Sequence, residues 1–394
     1  MKSLAHLARG LCLGAALSTG AWAQQCGGNF GAFVDGLRQE AVANGHAAGT
    51  VNAFFANVRQ DQATLNADRA QGIFTVPFVE FSRRLISQNR LDNGRLNADR
   101  YRSIFDAAEQ RYGVSRGVLL AFWALETDFG SFQGDFNTLN SLVTLSHDCR
   151  RPELFRPQVF AALELFEQGD FDPARTTGAW AGEIGMVQML PEDILERGVD
   201  GDGDGRVDLQ TSQADALMSG ANMLNSLGWR AGEPWLVEIT IPDGFDWSQT
   251  GLDVTRRVSE WQQMGVRGRN GALTNTGQSA SILLPQGRNG PAFMAYPNYS
   301  VFFEWNQSFV YVTTAAYFAT RLEGAQVFDA GNPDAGLSRD QMRVLQQRLV
   351  DRGYDVGGID GILGRNTRAA VQAEQQRLGL PADAWPTPQL LNAL

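Results

Sequence analysis

The sequence predicts a mainly α protein of the α+β kind, a large helical domain with a small β insert and then a small helical C-terminal unit. Three observations carry this. Apolar residues recur at helical spacing from Phe30 to Glu167 and again from Asn306 to Leu322. Strand-like runs are confined to Val237–Ile241 and Ser281–Leu284, bounded by Gly, Pro, Asp and Asn. A stretch rich in Gly, Asn, Pro and Asp, residues 331–336, sets off the last segment as a linker.

In chain order, residues 1–23 read as a signal peptide. Lys2 and Arg9 give a positive start, Leu11 to Ser18 an apolar core, and Ala21-Trp22-Ala23 a small-x-small cleavage site. The apolar run is too short to span a bilayer, and no later segment has the length of a transmembrane helix. Cleavage leaves Cys26 and Cys149, either two buried thiols or one disulfide; an exported, oxidising setting favours the disulfide. Net charge is −10, and the signal peptide removes two basic residues more. An acidic chain is a poor partner for nucleic acid or an anionic membrane surface. A 43% hydrophobic content excludes a disordered chain.

Helices are expected from Phe30, over Val51–Val58, over Phe78–Ile86 behind Pro77, and over Leu96–Tyr112. The next stretch, Gly117 to Gly130, is an apolar run that ends in a carboxylate. Ser115 suits its N-cap and Gly130 its stop. Leu119, Phe122, Trp123 and Glu126 fall at i, i+3, i+4 and i+7, on one face. Desolvation among such neighbours raises a carboxyl pKa, as a general acid at neutral pH needs. Further helices over Leu139–Leu145 and Pro157–Glu167 flank a polar turn that carries Arg150 and Arg151.

The glycine-rich segment Gly178–Pro191 allows close backbone approach and presents Trp180 and Gln188. Asp200, Asp202, Asp204, Arg206 and Asp208 stand at positions 1, 3, 5, 7 and 9 of a calcium-loop pattern, with Gly205 at 6. Position 12 is Thr211 instead of the usual Glu, so Asp215 is the candidate closing ligand of a lengthened loop that would take Ca2+ or Na+ at modest affinity. Trp235, Trp247 and Trp261 lie in the β insert as core residues or as sugar-stacking indoles. Residues 337–394 show two clear helices, one with Met342, Leu345 and Leu349, the other from Asn366 to Leu378.

His46 and His147 alone remain after the signal peptide, which argues against histidine-rich zinc sites and weakens a Ser-His-Asp triad. Neither a P-loop nor a dinucleotide fingerprint is present. Carboxylate chemistry beside aromatic side chains remains, which points to glycoside cleavage.

The chain resembles the B-type lytic murein transglycosylases over residues 28–325. The match runs through Ala124–Gly130, Trp180-Ala181-Gly182 to Gln188, Asp200–Asp208, Asn222 with Gly228-Trp229, and Trp305–Ser308. Residues 337–394 resemble the small peptidoglycan-binding domain through Leu345–Leu349, Gly353-Tyr354, Asp360–Gly364 and Thr367–Val371. The resemblance implies a lysozyme-like helical catalytic domain over 24–330, a linker over 331–336 and a three-helix wall-binding domain over 337–394, all periplasmic. It implies cleavage of peptidoglycan strands between N-acetylmuramic acid and N-acetylglucosamine to leave 1,6-anhydro ends. Glu126 would be the single acid and then base, with no cofactor in the chemistry. Arg150, Arg151, Trp180, Gln188, Asn222, Trp305 and Asn306 would line the groove.

The chain departs from the family pattern at Ala179, usually Ser, at Met223 and Trp305, usually Tyr, at Met189, usually aromatic, and at Glu183, usually small. Two lost hydroxyls put strength and specificity in doubt. A hydrolytic muramidase in which Glu183 or another carboxylate activates water, and a catalytically weak wall-binding protein, stay open beside the transglycosylase. A C-terminal module of this kind raises effective concentration at the wall. Removing residues 331–394 is then expected to spare activity on short soluble glycans.

Overall fold

The structure is a computed structural model that describes residues 26–70 and 76–394. The expected signal peptide lies outside the described residues. Helices dominate, as the apolar spacing predicts, and the C-terminal unit is helical too. The first set is α1 (Phe30–Ala43), α2 (Ala48–Phe54), α3 (Gln62–Arg69), α4 (Phe78–Leu85), α5 (Gln88–Arg100), α6 (Arg102–Tyr112) and α7 (Arg116–Thr127). The two-residue strand β1 (Phe136–Asn137) leads into α8 (Thr138–His147) and α9 (Pro152–Gln168). After β2 (Thr177–Gly178), which pairs with β1, come α10 (Pro191–Arg197) and α11 (Gln213–Ser226).

Several helices escape the sequence pattern, α3, the start of α5, α10 and α11 among them. α3 and the start of α5 carry only about one apolar residue per turn, so their periodicity is faint. The expected single helix Leu96–Tyr112 is two, because Tyr101 leaves helical geometry (φ −110°, ψ 28°) and sets its ring against Trp123 at 5.6 Å.

The β insert holds β3 (Leu236–Thr240), β4 (Arg256–Arg257), α12 (Val258–Gln263), β5 (Arg267–Gly268), β6 (Ser279–Leu283) and β7 (Phe293–Ala295). They form one antiparallel sheet in the order β4-β6-β7-β3-β5, with Ile282 opposite Met294 and Val237 opposite Met294 on the other side. Its own core closes around Trp261, which is fully buried and donates its indole N–H to the Ala280 carbonyl. Trp235 is buried as well, bonded to the Ala316 carbonyl, and Trp247 packs beside Phe245. Trp235 and Trp261 are therefore core residues, and Trp247 packs half-buried against the insert's core.

The chain returns through α13 (Pro297–Trp305) and α14 (Phe309–Leu322), broken over Asn306–Ser308 where one helix was expected from Asn306. α7 packs along α14 at the centre of the main hydrophobic core, and every residue from Gly117 to Ala124 is buried. This helix is enclosed all round, with Glu126 near its end.

The C-terminal unit folds as α15 (Arg339–Asp351), α16 (Arg365–Arg377) and α17 (Pro388–Ala393) around Leu345, Leu349, Val371 and Leu390. Residues 331–336 are not a slack tether. Asn332 N–H bonds the Asn289 carbonyl, and Trp385 donates its indole N–H to the Asp334 carbonyl.

Candidate active site

Helix α7 stops at Thr127, because Asp128 and Phe129 take left-handed backbone (φ 50° and 59°) and Gly130 follows at 84°. The reversal begins two residues before the expected glycine. The Thr127 hydroxyl, buried, donates to the Met186 carbonyl at 2.6 Å and accepts from Gly130 N–H at 2.9 Å. The end of the helix is thereby fastened to the glycine-rich segment. At the start of α7, Ser115 occupies the cap position but its hydroxyl has no partner among the described residues; Glu323 accepts the Gly117 N–H at 3.3 Å instead.

Glu126 receives two donors on one oxygen. Trp305 gives its indole N–H to Oε1 at 3.2 Å, and the Tyr311 hydroxyl donates to the same atom. The Trp305 ring lies against Phe122 at 4.4 Å, so the helix face that presents the acid also seats its donor. Burial pushes the Glu126 carboxyl up to about 7. The two donors favour its charged form and oppose the rise, and the nearby Glu183 adds to it.

An indole N–H can only donate. Burial and the neighbouring Glu126 hold the Tyr311 phenol well above its ordinary range, so it stays protonated and donates too. With Oε1 occupied by both donors, the neutral acid carries its proton on Oε2. Near neutral pH both forms of Glu126 are populated, as a group that must give and then take a proton requires.

Tyr311 was not found from the sequence; a phenol two residues into an apolar helix looks like core. Asp68 was also missed. It is almost fully buried, and each of its oxygens accepts from one guanidinium, Arg150 on Oδ2 and Arg151 on Oδ1. The arginine turn is pinned on its other flank by a disulfide between Cys26 and Cys149, whose Cα atoms lie 5.2 Å apart.

The segment from Gly178 folds on itself. Ala179 N–H bonds the Glu183 carbonyl at 2.9 Å, and Gly182 N–H the Ala179 carbonyl at 3.1 Å. A Cβ on Gly178 would run into the Glu183 carbonyl, so only glycine fits there. The Glu183 carboxyl is pushed up by burial, against the pull of its own amide, the Ala181 amide and Arg151, and its Oε2 has no partner among the described residues. Arg151 and Glu183 thus extend the charge pattern around Glu126.

The remaining candidates spend polar atoms on bracing. Gln188 (φ 54°) donates to the Gly185 carbonyl at 2.7 Å and the Gln133 carbonyl at 3.2 Å. Asn222 donates to the Arg197 carbonyl at the end of α10. Asn306 accepts the Ser308 N–H at 2.9 Å inside the α13–α14 turn. Trp180 is half-buried against the main core. Asp128 is held by Arg90 at 3.0 Å.

Carboxylate oxygens of Asp200, Asp202 and Asp204 lie within 4.8 Å of one another, exposed. No basic side chain pairs with any of them among the described residues. Asp215 differs from its expected part: both its oxygens accept loop amides, Gly201 at 2.8 Å and Asp208 at 2.8 Å, so it braces the loop from inside. Asp208 turns onto Gln210 and Thr211, and Arg206 reaches the Gly169 carbonyl.

Comparison with known proteins fits this arrangement. The transglycosylase SLT domain family matches residues 29–320, and the putative peptidoglycan binding domain matches residues 338–394. The chain is 25% identical over 237 residues to membrane-bound lytic murein transglycosylase B of Escherichia coli (strain K12). That match covers 59% of this chain and 63% of the relative's length. Among solved structures, SltB3 from Pseudomonas aeruginosa in complex with NAG-anhNAM-pentapeptide is 39% identical with a TM-score of 0.86, over 93% of this chain and 99% of that one. SltB1 from the same organism is 25% identical with a TM-score of 0.65, over 74% and 99%.

Proposed function

The chain belongs to the transglycosylase SLT domain family, and on that premise we propose that it is a lytic murein transglycosylase with Glu126 as its one acid and base. The observation that carries the proposal is the pair of donors on Glu126 Oε1, which leaves Oε2 to carry the proton of a buried carboxyl pushed up to about 7. Oε2 gives its proton to the glycosidic oxygen between N-acetylmuramic acid and N-acetylglucosamine as the C1–O bond breaks. The muramyl 6-hydroxyl oxygen then bonds to C1, and its proton passes to the carboxylate, which restores the acid. No water is consumed, and the new end is a 1,6-anhydro sugar.

Tyr311 and Trp305 keep the carboxyl aimed through both halves of the cycle. Arg150 and Arg151, oriented by Asp68, offer positive charge to the lactyl or stem-peptide carboxylates. Residues 337–394 hold the wall. The mature chain, freed of residues 1–23, acts in the periplasm. Asp200, Asp202 and Asp204 fit a hard cation such as Ca2+ or Na+, since three carboxylates converge without a basic partner. Bound there, the ion would stiffen the loop and take no part in the reaction.

The purified chain, incubated with isolated peptidoglycan, is expected to release fragments with 1,6-anhydro ends by mass spectrometry. Reducing ends, one water heavier, would instead mark a hydrolytic muramidase. Sedimentation with the wall and no release would mark a binding protein.

A further inference from the structure

The C-terminal unit is seated on the catalytic domain at the element that carries the acid's donors. Arg368 on α16 holds its guanidinium carbon 4.3 Å from the centre of the Phe309 ring. It also donates to the Pro285 carbonyl at 2.7 Å, while its Nε has no partner among the described residues. Phe309 is buried and opens α14. It stands four residues after Trp305 and two before Tyr311, the donors to Glu126.

Between the two helices, Asn306–Ser308 is tied at each end by one helical bond, Asn306 N–H to the Phe302 carbonyl at 3.1 Å and Val312 N–H to the Ser308 carbonyl at 2.9 Å. Three side-chain contacts add to these: Asn306 accepting Ser308 N–H, Gln307 donating to the Phe303 carbonyl at 2.6 Å, and Ser308 capping Tyr311 N–H at 3.4 Å. A further constraint, Arg368 on Phe309, comes from the other domain. A cation over an aromatic face is worth most where both are desolvated, as here.

We propose that Arg368 is a positioning residue for Glu126: by clamping Phe309 it fixes the turn from Trp305 to Tyr311, so the C-terminal domain sets turnover as well as attachment. The inference rests on the function proposed above. It departs from the picture of an independent tethered module, and it makes loss of residues 331–394 costly even on short soluble glycans. The rest of the docking face ends elsewhere. Gln372 donates to the Trp247 and Thr250 carbonyls, and Arg365 pairs with Asp253, both exposed.

The test uses the full chain and a short, soluble, peptide-bearing glycan. Arg368→Met is expected to lower kcat about five- to tenfold with KM changed by less than about twofold. Phe309→Leu, which keeps an apolar side chain, should show the same split and serves if Arg368→Met opens the interface. Arg365→Ala, at an exposed pair, should leave kcat unchanged. In a Tyr311→Phe background Arg368→Met should cost clearly less than in the wild type, because one of the two donors that the turn positions is already gone. Amides 309–313 should exchange hydrogen faster in Arg368→Met.

Wild-type kcat in both Arg368→Met and Phe309→Leu, an equal loss in Arg365→Ala, or a full additional loss beside Tyr311→Phe would each overturn the inference while leaving the proposed reaction standing. A wild-type chain that releases no anhydro-ended fragments would overturn the reaction, and this inference with it.

Discussion

Glu126 and Tyr311, 185 residues apart, share a hydrogen bond that runs one way, from the phenol to Oε1. The bond favours the charged carboxylate, and burial favours the neutral acid. Burial prevails, but the contest leaves the group close to neutrality, where each form is available.

Removing the phenol should show this directly. Tyr311→Phe deletes a contact that lowers the Glu126 pKa, leaving Trp305 to oppose burial and Glu183. The alkaline limb of kcat/KM, set by loss of the Glu126 proton near pH 7, should move to higher pH. Turnover should fall about a hundredfold as the carboxyl loses an aiming donor. A limb that stays in place would count against Glu126 as the group that titrates.

Glu183→Gln should move the same limb the other way. Its charge opposes ionisation of Glu126, so neutralising it lets Glu126 deprotonate at lower pH. A pH profile on a soluble glycan reads the shift, and the same variant tests a muramidase in which Glu183 activates water. That enzyme would lose its activity outright.

Glu126→Gln should reduce release of wall fragments by about a thousandfold and leave sedimentation with the wall intact. It should also alter stability with a definite sign. The folded pKa, about 7, lies above the ordinary value of 4.5. The acid's contribution is present below pH 4.5 and is lost as pH rises through 7. The glutamine variant has no such loss and should exceed wild type by about 3 kcal/mol above pH 8, measured by denaturant unfolding at two pH values.

Asp68→Asn should release the arginine turn. Both guanidiniums are about half-exposed and tolerate the loss, so the destabilisation should be about 1–3 kcal/mol. The larger effect should fall on KM for peptide-bearing glycans, raised about tenfold, with little change for glycans stripped of peptide.

Calcium should raise the melting temperature by a few degrees, and an Asp200→Asn, Asp204→Asn double variant should lose that response. Activity of the wild type at saturating substrate should be the same with and without chelator below the melting range. A matching response to sodium alone would identify the monovalent ion.

The sequence made Glu126 visible because a carboxylate at the end of an apolar helix contradicts its surroundings. It made the Asp200–Asp208 loop visible because alternating acids and glycines serve no packing purpose. Tyr311 and Asp68 gave no such contradiction. A phenol in an apolar helix and an aspartate in a polar one look ordinary until the fold brings each to its partner, across 185 and 82 residues. The return helix starts at Phe309, three residues after the expected Asn306, because Asn306 turns its side chain back onto the Ser308 amide. Asp215 shows the reverse case: its place in sequence suggested a ligand, and its burial makes it a brace.

The bond between Cys26 and Cys149 closes a covalent ring around α1 to α8, Glu126 and Asp68 included, while Trp305 and Tyr311 stand outside it. A protein held to a wall by its C-terminal domain can be pulled. Tension applied between the chain's ends passes across the disulfide and bypasses everything from residue 27 to 148. The acid's own helix is thereby sheltered from load, which is carried by the chain from Cys149 onward, α14 and the seat of Phe309 included.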